Sequence, residues 1–491
     1  MACDFLGSFR LKTFIGVCGL TLCVTLGVTS VASAQAPTVD TPPKGKVAAW
    51  VTYTDQSRLL SAEPLLSFDD RPALPTTLEI DPSQRFQSMV GFGANLTDAS
   101  AWLIQKKLSE PQRTALLQEL FGPSPGLGFS FTRLTIGASD FSLKHYSLDD
   151  RPAGQTDFPL AHFSLKEMQP EVLPTLHAAK AINPRLAIMA SPWSAPAWMK
   201  RNDNLIQGGL RDDAYDAFAR YVVRFADAMQ DQGLPLWGLT VQNEPHFEPK
   251  DYPGMRIDSA QRARLVGQHL GPLLATRKVP LQLLDWDHNW DEPQSPLQVL
   301  ADPVARKYIS GVAWHCYSGD VRAQGAVHDK HPDKDTYFTE CSGGDWKPHW
   351  RETLPWFMRH LIIGTTRNWA RGVLLWNLAL DENHGPHLGG CTDCRGVITI
   401  DSRTGVVTRN FDYYALAHAS RFVRPGAVRI ASDSDVARLE SVAFQNADDG
   451  SIALIVLNGA ANAREFTVRI GSRSFRHNLP GASVATYLWQ P

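Results

Sequence analysis

The chain has 491 residues, of which 43% are hydrophobic and 20% are charged, and its formal net charge at pH 7 is −2. This length is ample for one large domain and a smaller one. The near-neutral charge excludes the basic field of proteins that bind nucleic acids or anionic membranes, so we expect a neutral partner and no nucleic acid.

The first 34 residues have the pattern of a secretory signal peptide. Arg10 and Lys12 precede the apolar run TFIGVCGLTLCVTLGVTSVASA, and Ala32-Ser33-Ala34 has the small side chains of a signal peptidase site. A retained transmembrane anchor is the alternative, but Gly, Ser and Thr interrupt the run and it ends in the cleavage pattern. We therefore predict cleavage near Ala34 and a secreted or periplasmic protein, with no stable membrane insertion and no obligate protein partner.

The middle of the chain repeats a strand-helix pattern. Residues 35–46 form a Pro-rich polar linker. Over residues 86–424, eight apolar runs alternate with helical patterns such as AYDAFARYVVRFADAMQ. The runs start near residues 89, 131, 186, 237, 281, 312, 336 and 372. This alternation predicts an α/β fold, the (β/α)8 TIM barrel. An open doubly wound sheet is the alternative, but no glycine-rich nucleotide fingerprint follows any run.

Both ends of the chain have the two-residue period of antiparallel strands. Residues 425–491 contain stretches such as SIALIVLNG, REFTVRI and SVATYLWQ, and residues 47–85 contain VAAWVTY and TTLEIDPS. We predict a β-sandwich side domain formed by these N- and C-terminal segments.

Polar and aromatic residues follow the predicted strands, at the face where TIM barrels place their active sites. These residues are Asn95, Asp98, Asp140, Trp193, Asn243, Glu244, Asp285, Trp286, Asp287, His315, Tyr317, Glu340, Trp376 and Asn377. Carboxylates and amides bind hydroxyl groups, and indole faces stack on sugar rings. The composition indicates a carbohydrate substrate.

Glu244 and Glu340 are the candidate catalytic pair. Each ends a predicted strand, and three strand-helix units separate them, so they face each other across the barrel. Glycoside hydrolysis uses such a pair, one carboxyl group as acid and the other as nucleophile or base. The simpler interpretation is two surface or ion-paired glutamates. A carbohydrate-binding barrel without catalysis is a further alternative, although it would be expected to lack one carboxylate.

Six motifs resemble those of glycoside hydrolase family 30, in its glucosylceramidase and β-1,6-glucanase branches. In chain order they are GFGANLTDAS, RLTIGASDFS, MASPWSAPAWMK, LTVQNEP, YFTECSGG and LLWNLALDENHGP. The resemblance implies a retaining β-glycosidase that cleaves β-D-glucosidic bonds through a glycosyl-enzyme intermediate. It implies that Glu244 is the acid/base and Glu340 the nucleophile, with their carboxyl groups about 5–5.5 Å apart. Two substrates are then open, β-1,6-glucan and glucosylceramide-type β-glucosides, and the secretion signal and the Trp-rich, polar strand ends favour the glucan slightly.

The resemblance also implies a glycone subsite and no cofactor. The subsite residues are Asp140, Trp193, Asn243, His315, Tyr317 and Trp376. Asn243 would bind the sugar 2-OH. A general acid must be protonated near neutral pH, so we expect aromatic neighbours and the charge of Glu340 to raise the pKa of Glu244. Four loop residues after the fifth and seventh strands are either aglycone platforms or packing residues: His288, Trp290, Trp346 and Trp350.

Four cysteines lie beyond the signal peptide, and an oxidising compartment favours disulfides. Three connectivities are open; Cys391 and Cys394 are a disulfide candidate, and Cys316 can then pair with Cys341. The cluster His384, His387, Cys391 and Cys394 also has the spacing of a zinc site, which makes a zinc-dependent hydrolase an alternative. We favour the disulfide and expect no metal.

Overall fold

A computed structural model describes residues 42–433 and 435–491. The predicted signal peptide 1–34 and residues 35–41 of the predicted linker lie outside these described residues. Within the described ranges, no helix is both long and apolar enough to cross a membrane.

Two N-terminal strands belong to the same sheet as the C-terminal strands. They are β1 (Lys46–Tyr53) and β2 (Thr77–Ser88). β1 pairs antiparallel with the last strand, from Val47 opposite Trp489 to Tyr53 opposite Ser483. β2 pairs with two C-terminal strands, one at each of its ends.

Eight parallel strands form the barrel. They are β3 (Gly91–Ala94), β4 (Phe131–Ile136), β5 (Ala187–Pro192), β6 (Gly238–Thr240), β7 (Gln282–Asn289), β8 (Gly311–His315), β9 (Asp335–Glu340) and β10 (Ala370–Leu375). The order around the sheet is β3-β10-β9-β8-β7-β6-β5-β4. Two backbone hydrogen bonds join β3 to β4, from Ser130 N to Phe92 O (3.1 Å) and from Leu96 N to Arg133 O (3.0 Å). The predicted TIM barrel is confirmed, and each strand begins within two residues of its predicted start.

Twelve helices of the described ranges lie between or after the strands. They are α1 (Asp98–Lys106), α2 (Glu110–Phe121), α3 (Val172–Ile182), α4 (Tyr215–Asp231), α5 (Ser259–Arg264), α6 (Gly271–Ala275), α7 (Gln294–Ala301), α8 (Pro303–Arg306), α9 (Arg322–Lys330), α10 (Trp350–Phe357), α11 (Thr365–Arg367) and α12 (Phe411–Ser420). Two π-helical segments, Leu265–Leu270 and Met358–Gly364, join α5 to α6 and α10 to α11. The side chain of Thr97 caps α1 by accepting from Ser100 N, which satisfies a backbone N–H that the helix leaves free.

Several short elements lie in the loops. The strands of two or three residues are Ser61–Ala62, Leu66–Ser67, Gly343–Gly344, Ala379–Leu380, Cys394–Arg395, Ile398–Ile400, Val407–Arg409 and Asp435–Val436, and Ala197–Met199 is a 3₁₀ turn. Gly343–Gly344 pairs with Cys394–Arg395, so the loop after β9 is joined to the loop after β10.

The C-terminal strands complete the side domain. They are β11 (Val428–Ser432), β12 (Leu439–Gln445), β13 (Ile452–Asn458), β14 (Arg464–Ile470), β15 (Arg473–Leu479) and β16 (Ser483–Trp489). Their buried side chains pack with those of β1 and β2 around a separate core that includes Val47, Leu78, Leu454, Tyr487 and Trp489. The predicted two-segment sandwich is confirmed as part of the fold class.

The barrel interior is layered, and this layering positions the site. An apolar layer comes from six strands: Phe131, Met189, Leu284, Ala313, Tyr337 and Leu374. Because side chains alternate along a strand, the residues two positions further on face the same interior. There β4, β5 and β9 carry the buried polar residues Arg133, Ser191 and Thr339. The apolar layer closes the bottom of the barrel, and the polar layer supports the strand ends above it.

Candidate active site

Arg133 connects the strand ends at the centre of the barrel. It is fully buried, and its guanidinium donates to Ser191 Oγ (2.9 Å), to Glu340 Oε2 (2.7 Å) and, through one nitrogen, to both Asn243 Oδ1 (2.6 Å) and Asp287 Oδ2 (2.7 Å). The sequence analysis did not identify this residue. The available signal was an arginine inside the apolar run FTRLTI: an unpaired charge is rarely buried, so an arginine in a buried strand implies charged or polar partners.

Asp287 is the second ionised group of the buried layer. It accepts hydrogen bonds from Ser191, Thr240 and Thr339 at 2.7–2.8 Å, in addition to the ion pair with Arg133. Burial raises the pKa of Asp287, but the charge of Arg133, the hydrogen bond and charge of His315 and the hydrogen bond from Thr339 outweigh it and hold the pKa well below its usual range. Trp286 and Asp287 have φ of +76° and +55°, and the pairing of β7 with β8 shifts there. This bulge turns Asp287 inward.

Glu340 is held on both carboxylate oxygens. Arg133 donates to Oε2, and the Tyr317 hydroxyl donates to Oε1 at 3.0 Å. Burial raises the pKa of Glu340, and the charges of His315 and Arg133 oppose this rise without cancelling it. The two donors fix the orientation of the carboxylate.

Glu244 faces two imidazoles. Its Oε1 lies 3.1 Å from Nδ1 of His315 and 3.4 Å from Nδ1 of His288. Burial raises the pKa of Glu244, but the positive charges of His288 and His315, together with the hydrogen bond to His315, lower it further than burial raises it. The expectation of a raised pKa is therefore wrong, because the neighbours that decide it are histidines rather than tryptophans.

His315 lies between the two carboxylates. Its Nδ1 is 3.1 Å from Glu244 Oε1 and 3.9 Å from Glu340 Oε1, so these two oxygens lie no more than about 7 Å apart. Its Nε2 is 3.1 Å from Asp287 Oδ1. Burial lowers the pKa of His315, but the charges of Glu340, Asp287 and Glu244 raise it overall to about 9. His315 thus forms hydrogen bonds at both ring nitrogens. It lies behind the residues that line the cavity at the carboxyl ends of the strands.

Asn243 has a fixed orientation. Its Oδ1 accepts from Arg133, so its NH₂ group is the one left to donate to a ligand. Glu244, the next residue, has φ of +43°, a left-handed conformation that is costly for a non-glycine residue. Backbone strain thus falls on the end of β6, where Asn243 and Glu244 turn into the cavity.

Two tryptophans and an aspartate form one wall of the cavity at the strand ends. Trp193 and Trp376 stack with ring centroids 5.3 Å apart, and the guanidinium of Arg133 lies 4.7 Å from the Trp193 ring. Asp140 is buried beside the same cavity, and burial together with the charge of Glu340 raises the pKa of Asp140 well above its usual range. Asp140 is therefore suited to donate as well as accept hydrogen bonds.

These side chains enclose a cavity of about 770 Å³ at the carboxyl ends of the strands. The predicted site residues that line it are Asp140, Trp193, Asn243, Glu244, Tyr317, Glu340 and Trp376, together with Cys391 and Cys394. Phe247, Tyr252, His288 and Trp346 also line it and were not assigned from the sequence. From the sequence, His288 and Trp346 were platforms or packing residues without a choice between the two, and Phe247 and Tyr252 gave no signal; the fold brings all four to the cavity.

The cysteines form two disulfides, Cys316–Cys341 and Cys391–Cys394. Cys391 and Cys394 therefore have no thiolate to offer a metal. His384 and His387 instead form hydrogen bonds to the carbonyls of Cys394 (3.1 Å) and Gly389 (3.0 Å). The alternative of a zinc-dependent hydrolase built on this cluster is wrong.

Comparison with known proteins agrees with the geometry. Residues 89–423 match the Glycosyl hydrolase family 30 TIM-barrel domain, and residues 426–487 match the Glycosyl hydrolase family 30 beta sandwich domain. The chain is 37% identical over 413 residues to the endo-1,6-beta-D-glucanase of Neurospora crassa, which covers 81% of this chain and 84% of that protein. It is 30% identical over 439 residues to the lysosomal acid glucosylceramidase of Mus musculus, with coverage of 84% and 83%. The solved structure of the endo-beta1,6-glucanase BT3312 superposes with a TM-score of 0.84 at 31% identity, covering 91% of this chain and all (100%) of that one.

Proposed function

Because this chain belongs to glycosyl hydrolase family 30, we propose that it is a retaining endo-β-1,6-glucanase in which Glu340 is the nucleophile and Glu244 the acid/base. The observation that carries this proposal is the approach of the two carboxylates, no more than about 7 Å apart across His315. Retaining glycosidases have a separation of about 5–5.5 Å and inverting ones about 6.5–9.5 Å, so this limit includes the whole retaining range and only the lower end of the inverting range.

The contacts of Glu340 support its role as nucleophile. Arg133 and Tyr317 donate to its two oxygens and hold it in one orientation below the sugar. In the first step a carboxylate oxygen attacks the anomeric carbon, and the bond to the leaving sugar breaks. Because the carboxylate is already oriented, less entropy is lost when it reaches the transition state.

Glu244 and His315 supply the proton for the leaving group. His315 Nδ1 lies 3.1 Å from Glu244 Oε1, so a proton on this nitrogen is within hydrogen-bonding reach of the acid oxygen. Glu244 passes a proton to the glycosidic oxygen as the bond breaks. Once Glu340 is esterified, its negative charge is gone, and Glu244 then takes a proton from the water that hydrolyses the intermediate.

A second cavity supports a polymeric substrate. It has a volume of about 540 Å³ and shares Tyr317 and Trp346 with the first cavity. Trp346 and Trp356 on its wall are 48% and 38% exposed, a high fraction for indoles. Exposed indole faces suit sugar rings that extend past the cleaved bond. Lys347 and Glu352 on the same wall add polar groups that a lipid tail would not use.

The known relatives support the same substrate. The Neurospora crassa relative at 37% identity is named an endo-1,6-beta-D-glucanase, and the mouse glucosylceramidase relative is 30% identical. We therefore place β-1,6-glucan ahead of glucosylceramide-type β-glucosides.

Product analysis tests this proposal. Linear β-1,6-glucan is incubated with the purified wild type, with Glu340→Gln and with Glu465→Gln, which changes an exposed glutamate of the sandwich. We expect mixed gentio-oligosaccharides early in the reaction from wild type and Glu465→Gln, and none from Glu340→Gln. Release of glucose alone would contradict endo action. Hydrolysis of glucosylceramide without hydrolysis of the glucan would favour the second substrate, and unchanged hydrolysis by Glu340→Gln would refute the nucleophile.

We also propose secretion after cleavage near Ala34, and the domain division 47–85 with 425–491 around the barrel 86–424. The support is the signal-like sequence of residues 1–34 and the pairing of β1 with β16. N-terminal sequencing of the protein recovered outside the cytoplasm of the native host tests the cleavage. A mature chain that still begins at Met1 would contradict it.

A further inference from the structure

Three potential metal ligands meet at the acid/base side of the cavity. Glu244, His288 and His315 each offer one ligand atom, and these three atoms lie within 4.8 Å of one another. His288 and His315 are buried, and Glu244 lines the cavity. Imidazole nitrogens and a carboxylate oxygen are a ligand set that zinc accepts.

His315 is oriented as a metal ligand would be. Its Nε2 is hydrogen-bonded to Asp287 Oδ1 at 3.1 Å, and Asp287 is itself held by Arg133 and three hydroxyl groups. Metal-binding histidines usually donate their second ring N–H to a carboxylate in this way, which leaves the first nitrogen free to coordinate. The ring nitrogen that faces Glu244 is therefore the one that a cation would bind, in exchange for the proton in its hydrogen bond to Glu244.

His288 provides an independent sign of a ligand. The residue is 8% exposed, and its Nδ1 is buried without a hydrogen-bond partner among the described residues, although Glu244 Oε1 lies 3.4 Å away. A buried ring nitrogen without a partner is unfavourable, since it has lost its water without gaining a replacement. A cation between His288 and Glu244 would satisfy it.

The distances fit zinc. With bonds of about 2.0–2.1 Å and tetrahedral angles, zinc ligands lie about 3.3–3.4 Å apart. The two distances from Glu244 Oε1 to the imidazoles are 3.1 and 3.4 Å. Calcium and magnesium prefer all-oxygen ligands and fit this set poorly.

We infer that Glu244, His288 and His315 form an inhibitory site for a borderline divalent cation, with Zn²⁺ as the reference ion. A cation there occupies the oxygen of Glu244 that must carry the proton, so bond cleavage stops while it is bound. The inhibition rests on the proposed acid role of Glu244, whereas the binding does not. The proposed double displacement uses two carboxyl groups and no metal.

Calorimetric titration with ZnCl₂ tests the binding directly. The full mature protein is titrated in chelator-free buffer beside His288→Asn, Glu244→Gln and the control His331→Asn. His331 follows α9 at the opposite end of the barrel, just before β9. We expect one equivalent bound by wild type and by the control, with at least about tenfold weaker binding in the other two variants. No saturable binding by wild type, or equal binding by all four proteins, would overturn the inference.

Folding and activity are measured on the same samples. Thermal melting by circular dichroism identifies any variant that does not fold. If either His288→Asn or Glu244→Gln does not fold, the zinc affinity of the other one decides whether the site binds zinc. Zn²⁺ should inhibit wild-type hydrolysis with a midpoint at the calorimetric Kd, and EDTA should restore the rate. Zinc binding without inhibition would overturn the inhibitory role. Absence of hydrolysis in metal-free wild type would instead refute the proposed function and leave the binding result valid.

Discussion

Replacing Arg133 by methionine isolates the contribution of the buried charge beneath the nucleophile. Methionine fills similar space but removes the ion pairs to Asp287 and Glu340 and the hydrogen bonds to Asn243 and Ser191. The two carboxylates and the amide then remain buried without their donor. We expect losses of both stability and activity, for different reasons.

The stability loss follows from the burial of the pairs. Arg133 and Asp287 are completely buried, and removing one partner of a buried ion pair costs about 3–5 kcal/mol. Activity should fall further than stability alone explains, because Glu340 keeps only the Tyr317 hydrogen bond and turns more freely. Loss of one such orienting or electrostatic contact lowers kcat/KM by roughly 10²–10³-fold. Without the Arg133 charge the pKa of Glu340 rises further, so the acidic limb of kcat/KM should move to higher pH.

Arg262→Met is the matched control. Arg262 is also fully buried, pairs with Asp285 at 2.8 Å and donates to Ser295 Oγ at 2.7 Å, but it contacts neither carboxylate of the catalytic pair. Urea denaturation should show a similar loss of stability in both variants. With an aryl β-glucoside, at a temperature where both are folded, Arg262→Met should retain activity within several-fold of wild type. Equal activity losses in both variants, or an unshifted acidic limb in Arg133→Met, would refute the positioning role.

Three further outcomes are expected. The pH profile of kcat/KM should be bell-shaped. The rate should rise as Glu340 ionises, at a pH above the ordinary glutamate range, and fall near pH 9 as His315 loses its proton. A flat profile from pH 7 to 10 would contradict this. Trp346→Ala should raise KM for β-1,6-glucan roughly three- to tenfold while changing KM for a small aryl β-glucoside less; equal changes would remove Trp346 from the polymer site. The double variant Cys316→Ser, Cys341→Ser, which opens a disulfide spanning 25 residues, should lose about 3–4 kcal/mol in urea denaturation, and an unchanged midpoint would contradict a stabilising bridge.

The barrel was predictable because its signal is repeated and physically simple. Buried parallel strands require near-continuous apolar runs, and eight such runs alternate with helical periodicity. The prediction of the side domain was less complete. Val428–Ser432 was not identified as a separate strand, because VRIAS is short and only Arg429 and Ile430 are buried.

The strand-end residues were also predictable, since the barrel fixes which end of each strand forms the site. The network beneath them was not. Thr240 and Thr339 read as ordinary strand residues, and their hydrogen bonds to Asp287 depend on a bulge that sequence periodicity does not show. The lowered pKa of Glu244 was missed for the same reason, because His288 approaches it only after β7 bends.

Trapping the glycosyl-enzyme intermediate tests the central claim most directly. The enzyme is incubated with an activated 2-deoxy-2-fluoro-β-glucoside, digested with protease and analysed by tandem mass spectrometry. The fluorine slows both steps, and the good leaving group restores the first, so the covalent intermediate accumulates. We expect one fluoroglucosyl adduct on the peptide that contains Glu340, and none after Glu340→Gln substitution. An adduct on another carboxylate, or turnover with inversion at the anomeric carbon and no adduct, would contradict the account.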